Sequence, residues 1–79
     1  MESRNVCYNI NKLRALRGYT QCYMADELKI TQGAYSLIEI GKSKLEIQSL
    51  EQIAAILNTD INTILNLEEH LNNIAFNIS

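Results

Sequence analysis

An all-α domain is the fold class this sequence predicts, and three observations lead to it. The 79 residues include no proline and only three glycines, so little in the chain interrupts a helix. Apolar residues recur at three- and four-residue intervals, the spacing of helices with one buried face. The dipeptide Thr-Gln stands twice, at Thr20-Gln21 and Thr31-Gln32, each time a capping hydroxyl followed by an amide at the first helical position. A chain this short has a marginal core unless association adds buried surface.

The elements follow in order. Ile10, Leu13 and Leu16, with Lys12, Arg14 and Arg17 between them, predict a first helix from Tyr8 to Arg17, closed by Gly18 where a left-handed residue is wanted. Thr20 caps a second helix that turns Met24, Ala25 and Leu28 inward and stops near Lys29, a residue less tolerant of positive φ than glycine. Thr31 caps a third, running through Glu39, with Ala34, Tyr35 and Ile38 inward and Gln32, Gly33, Ser36 and Leu37 outward. Gly41 ends it, and Lys42-Ser43-Lys44 forms an exposed basic turn. A fourth helix runs from Ile47 to Leu57 with Asn58 as its C-terminal cap, and Asp60 caps a fifth.

Beyond that cap the apolar residues continue through Ile64, Leu67, Leu71, Ile74 and Ile78, an extended C-terminal helical tail over roughly residues 66–79. This is more apolar surface than one small domain covers. Two outcomes fit: the tail packs back on its own core, or it meets a second copy of the chain through those five residues. The whole chain, 1–79, is expected to be one domain.

Net charge is −2, yet the charges are segregated. All seven bases lie between Arg4 and Lys44, and up to Lys44 they face four acids (Glu2, Asp26, Glu27, Glu39), a balance of +3. From Leu45 on, five acids (Glu46, Glu51, Asp60, Glu68, Glu69) face no base, a balance of −5. One end of the molecule therefore suits anions and the other avoids them.

Several function classes fall away. The longest uninterrupted apolar run is Ile53 to Leu57, and no basic-then-apolar leader opens the chain; a cytoplasmic protein without a membrane partner is expected. Cys7 and Cys22, fifteen residues apart with no histidine near them, form neither a zinc site nor a disulfide framework, and two free thiols are expected. Cys22 in the first turn of a helix leaves a redox role as the alternative. His70 is the one histidine and sits beside Glu69 without a nucleophile, so no enzyme, metal or cofactor is expected.

The eleven-residue interval between the Thr-Gln pairs fits a helix of about two turns and a tight corner. In such a pair the first helix crosses the phosphate backbone and the second enters the major groove, its first residues nearest the base edges. Gln32 is placed to bond an adenine through N7 and N6–H. Gly33 permits close backbone approach, Ser36 reaches phosphate or base, and Leu37 meets a thymine methyl. Phosphate falls to the helix starts at Thr20 and Thr31, to the Lys42-Ser43-Lys44 turn and to the Tyr35 hydroxyl. Each has a plainer reading, a solvated helix-start glutamine or a solubilising lysine, and it is their combination that points to DNA.

Residues Asn9 to Leu65 resemble the lambda-repressor-like helix-turn-helix family of Cro/cI (XRE) type. The resemblance is carried by Leu13-Arg14, Leu16-Arg17, Thr20-Gln21, Met24-Ala25, Ile30-Thr31-Gln32, Tyr35-Ser36, Ile38-Glu39, Gly41-Lys42, Leu50, Ile53-Ala54 and Leu57. It implies a five-helix DNA-binding domain in which Gln21 binds phosphate or buttresses Gln32. It also implies an ion pair between Arg14 and Glu39 that joins the first helix to the end of the recognition helix. The family often has glycine at Lys29, proline at Leu45, a small polar cap at Glu46 and a polar residue at Leu37, so the corner, the basic loop and the bound sequence depart from its pattern.

The function expected is a sequence-specific DNA-binding transcriptional regulator, a homodimer on a palindromic operator. Candidate roles within it are a phage-type repressor, a restriction-modification controller and an antitoxin that also binds its toxin. The competing class is a protein-interaction module that has abandoned DNA.

Overall fold

The structure, a computed structural model, describes residues 3–67, with side chains from residue 6 onward. These residues form five helices: α1 (Ser3–Arg17), α2 (Gln21–Leu28), α3 (Gln32–Glu39), α4 (Ile47–Ile56) and α5 (Ile61–Leu65). The chain beyond Leu67 lies outside the described residues, and with it the expected C-terminal helical tail and the roles expected of Leu71, Ile74 and Ile78.

Helix α1 packs on α3 and α5, α2 on α3 and α4, and α4 on α5. Every helix contributes a side chain with no exposed surface: Ile10, Met24, Tyr35, Ile53 and Ile64. This is the periodicity of the sequence turned inward, one stripe per helix around a shared core. The Asn9 amide adds a polar tie by donating to the Ile64 carbonyl at 2.6 Å.

Four helices end in one way. At Gly18, Lys29, Gly41 and Asn58 the backbone turns left-handed, with φ of 76, 60, 78 and 57°. Each of these residues donates its N–H to the carbonyl three residues back, and the following residue donates to the carbonyl five back, as in Lys29 to Asp26 and Ile30 to Ala25. That paired bond is the Schellman closure, which satisfies the last carbonyls of a helix and stops it sharply.

The helix starts differ. Thr20, Thr31 and Asp60 accept from the N–H groups of Tyr23, Ala34 and Thr63, at 3.0, 3.1 and 2.7 Å, while Glu46 at the start of α4 makes no side-chain cap bond. A long carboxylate is a poor substitute for the short polar residue favoured there.

The structure corrects several expectations. Helix α1 begins at Ser3 rather than Tyr8, because Val6 and Cys7 are core residues and extend the buried stripe by a turn. Leu16 is 65% exposed. A turn after Leu13 comes Arg17, itself exposed, whose guanidinium Nε donates to the Leu57 carbonyl at 2.9 Å and ties the end of α1 to the end of α4. Ile64 and Leu67 pack into the domain's own core, 0% and 2% exposed; neither presents a surface to a second copy.

Candidate nucleic-acid interface

Helices α2 and α3 are joined by Lys29, Ile30 and Thr31. The left-handed turn at Lys29 reverses the chain, and Thr31, with extended backbone, starts α3 at once. The result is two eight-residue helices set at a corner, each beginning with free N–H groups and the positive end of its dipole.

The inner side of α3 is fixed by one carboxylate. Glu39, the last residue of the helix, is 8% exposed and collects donors from three helices. Its Oε2 accepts from Arg14 Nε at 2.6 Å and from the Tyr35 hydroxyl. Its Oε1 accepts from Asn11 Nδ2 at 2.8 Å, Gln21 Nε2 at 3.1 Å and Arg14 Nη2 at 3.2 Å. Arg14 Nη1 in turn donates to the Tyr19 carbonyl at 2.8 Å, tying in the segment before α2. A buried charge is tolerable only when its lone pairs are satisfied in this way.

The electrostatics follow from the geometry. Burial, the largest single influence on the Glu39 carboxyl, pushes it up, but the hydrogen bonds from Arg14, Tyr35, Asn11 and Gln21 together hold it below its ordinary value. Burial and the bond to Glu39 push the Tyr35 phenol far above its own. Cys7 is also raised, by burial first and then by the charge on Glu39.

The outer side of α3 is open. Gln32, Gly33 and Leu37 are exposed, Leu37 at 45%, and Ser36 is half-buried. A side chain added at Gly33 meets nothing within 4 Å, so packing within the protein does not require glycine there. Thr20 and Thr31 are exposed at the two helix starts, and after α3 Lys42 and Lys44 are exposed with Ser43 half-buried between them. Lys29 adds an exposed base at the corner.

Two expected roles change. Tyr35 has no exposed surface and its hydroxyl is given to Glu39, so it is a core residue and not a phosphate contact. Gln21 is half-buried with its amide on Glu39, and the residue that touches Gln32 is Cys22, whose Sγ lies 3.0 Å from Gln32 Oε1. Asn11, absent from the sequence-based set, belongs to the carboxylate cluster; its position three residues before Arg14, on the same helical face, is the signal that marks it.

Among the described residues no group of histidine, cysteine or acidic side chains is arranged to hold a metal, and no helix is long and apolar enough to cross a membrane. No solved structure matches the chain. Two curated proteins of Bacillus subtilis (strain 168) are similar to it. The SPbeta prophage-derived uncharacterized HTH-type transcriptional regulator YonR is 36% identical over 56 residues, 71% of this chain and 52% of the relative. The uncharacterized HTH-type transcriptional regulator YqaE is 34% identical over 62 residues, 78% of this chain and 53% of the relative. The chain thus spans about half the length of the curated relatives it matches. Residues 10–64 match a family model described as Helix-turn-helix, a span that takes in the capped corner, the carboxylate cluster and most of the core, and the chain belongs to this helix-turn-helix family, of the XRE type.

Proposed function

We propose that the chain is a sequence-specific transcriptional regulator that lays α3 in the major groove. The observation that carries this reading is the contrast between the two sides of α3. One is locked to α1 and α2 through Glu39, while the other is the outer side, where Gln32, Gly33 and Leu37 are exposed and Ser36 is half-buried. Gln32, in the first turn, reads adenine; Ser36 and Leu37 contact the next bases. Thr20, Thr31, Lys42, Ser43 and Lys44 bind phosphate and set the register without reading sequence. Gln21 supports the arrangement from behind, through Glu39.

The relatives support the regulatory reading, since both are named HTH-type transcriptional regulators. The prophage origin in the name of YonR favours a phage-type role. The protein works as a homodimer on a palindromic operator, two recognition helices lying roughly 34 Å apart. The apolar spacing of Leu71, Ile74 and Ile78 supports the dimer, while Ile64 and Leu67 serve the domain's own core. The domain acts in the cytoplasm and needs no cofactor.

Selection of bound duplexes from a random pool tests the reading. A recurring half-site whose preference at one base pair disappears in Gln32→Ala is expected, with affinity falling steeply as salt rises. No binding at low salt would overturn it and favour a protein-interaction module. Sedimentation at tens of micromolar tests the dimer separately, and a strict monomer there would remove it.

A further inference from the structure

Gln32 does not stand alone at the start of α3. The thiol of Cys22, in the first turn of α2, donates to Gln32 Oε1 across the corner at 3.0 Å. Cys22 is free and exposed, and nothing in the core requires sulfur at that position. Gln21, the preceding residue on α2, is turned to Glu39.

The contact matters because a glutamine amide has two opposite ends. Adenine presents an acceptor, N7, beside a donor, N6–H, so it needs the amide with its nitrogen toward N7 and its oxygen toward N6. Guanine presents two acceptors, N7 and O6, and an amide turned the other way donates its nitrogen to O6. An unrestrained glutamine samples both senses. A thiol is a donor and only a weak acceptor, so beside Cys22 the favoured neighbour is the carbonyl oxygen. Oε1 has two lone pairs; the thiol takes one and leaves the other for a base, and both Nε2 hydrogens stay free. The amide is thereby held in one sense before DNA arrives, which lowers the entropy lost on binding.

We propose that Cys22 is a positioning residue for base readout, orienting the Gln32 amide in the sense that reads adenine. The proposal rests on the reading of Gln32 as a base contact. Its test compares the full chain with Cys22→Ala, Cys22→Ser and Gln32→Ala in duplex selection, scoring the ratio of adenine to guanine at the base pair that depends on Gln32. Cys22→Ser keeps the ratio, since a hydroxyl donates to the same oxygen. Cys22→Ala lowers it by about threefold or more, the scale of one modest hydrogen bond, with the melting temperature and binding to random duplex unchanged. An unchanged ratio in Cys22→Ala beside a lost one in Gln32→Ala overturns the role of Cys22 alone. An equal loss in Cys22→Ala and Cys22→Ser overturns its hydrogen-bond basis. A parallel fall in binding to random duplex marks a general defect and also overturns it. An unchanged ratio in Gln32→Ala overturns both this proposal and the reading of Gln32 beneath it.

Discussion

Arg14 on α1 and Glu39 at the end of α3 meet at two points, Nε to Oε2 at 2.6 Å and Nη2 to Oε1 at 3.2 Å. The carboxylate side chain is 2% exposed and that of the arginine 16%. Removing the carboxylate leaves a largely buried guanidinium with one neutral partner, the Tyr19 carbonyl. Glu39→Ala is therefore expected to cost about 3 kcal/mol or more, a large share of a small domain's stability. Glu46→Ala, which removes an exposed acid that caps nothing, is expected to change stability by less than about 0.5 kcal/mol. Thermal melts of the two variants check this, and equal midpoints would count against it.

Acid should expose the same group. Glu39 holds its proton less tightly in the fold than in the unfolded chain, so its contribution is complete above the unfolded value of about 4.3 and is lost as pH falls through the lower folded value. Denaturant melts between about pH 5 and pH 3 are expected to show stability falling with pH more steeply in the natural chain than in Glu39→Gln, which has no proton to take up there. Identical slopes would show that other carboxylates carry the acid response.

The corner between α2 and α3 carries a conformational cost. Lys29 has φ of 60°, a region that costs a residue with a Cβ roughly 1–2 kcal/mol. Glycine escapes that cost but loses more backbone freedom on folding, so Lys29→Gly is expected to stabilise by about 0.5–1 kcal/mol, a rise of a few degrees in melting temperature. Asn58→Gly should gain less, since asparagine tolerates the left-handed region better. A lower melting point for Lys29→Gly than for the natural chain would count against this account.

Stability and binding are expected to part at Gly33. A Cβ there meets no protein atom within 4 Å, and alanine is the better helix former, so Gly33→Ala should stabilise by up to about 0.5 kcal/mol this close to the helix start. The same methyl group holds the backbone away from the groove, and affinity for the selected duplex should fall. Melting and gel-shift measurements on one preparation check both halves; a variant that melts higher and binds as well leaves Gly33 without a part in DNA approach.

Helices α2, α3 and α5 were legible because their inner residues are apolar and their caps are standard, Thr20, Thr31 and Asp60 each accepting the N–H that a cap should accept; α4, whose Glu46 caps nothing, was legible from its apolar spacing. Where the buried stripe turns polar, apolar spacing stops reporting it. After Leu13 helix α1 meets the rest of the domain through Arg14, largely buried on Glu39, and through the exposed Arg17, bonded to the end of α4, while the nearest apolar residue, Leu16, faces outward. The Arg14–Glu39 pair was implied by family resemblance alone, and Asn11 escaped because an asparagine mid-helix carries no apolar signal. The Cys22–Gln32 contact links residues ten apart on different helices, and the angle of the corner, which no local pattern encodes, brings them together.

Helix α3 is eight residues long, about 12 Å from end to end, no more than the width of the major groove it would enter. A reading element of that size touches only three or four base pairs, and a four-base-pair word recurs by chance about once in every 256 base pairs, against the millions of competing sites in a genome. One copy of this helix thus carries too little information to single out an address. In the dimer proposed above the missing discrimination comes from repetition, a second reading head at fixed spacing, and the rigidity that Glu39 gives the helix would make such a spacing measurable by the protein.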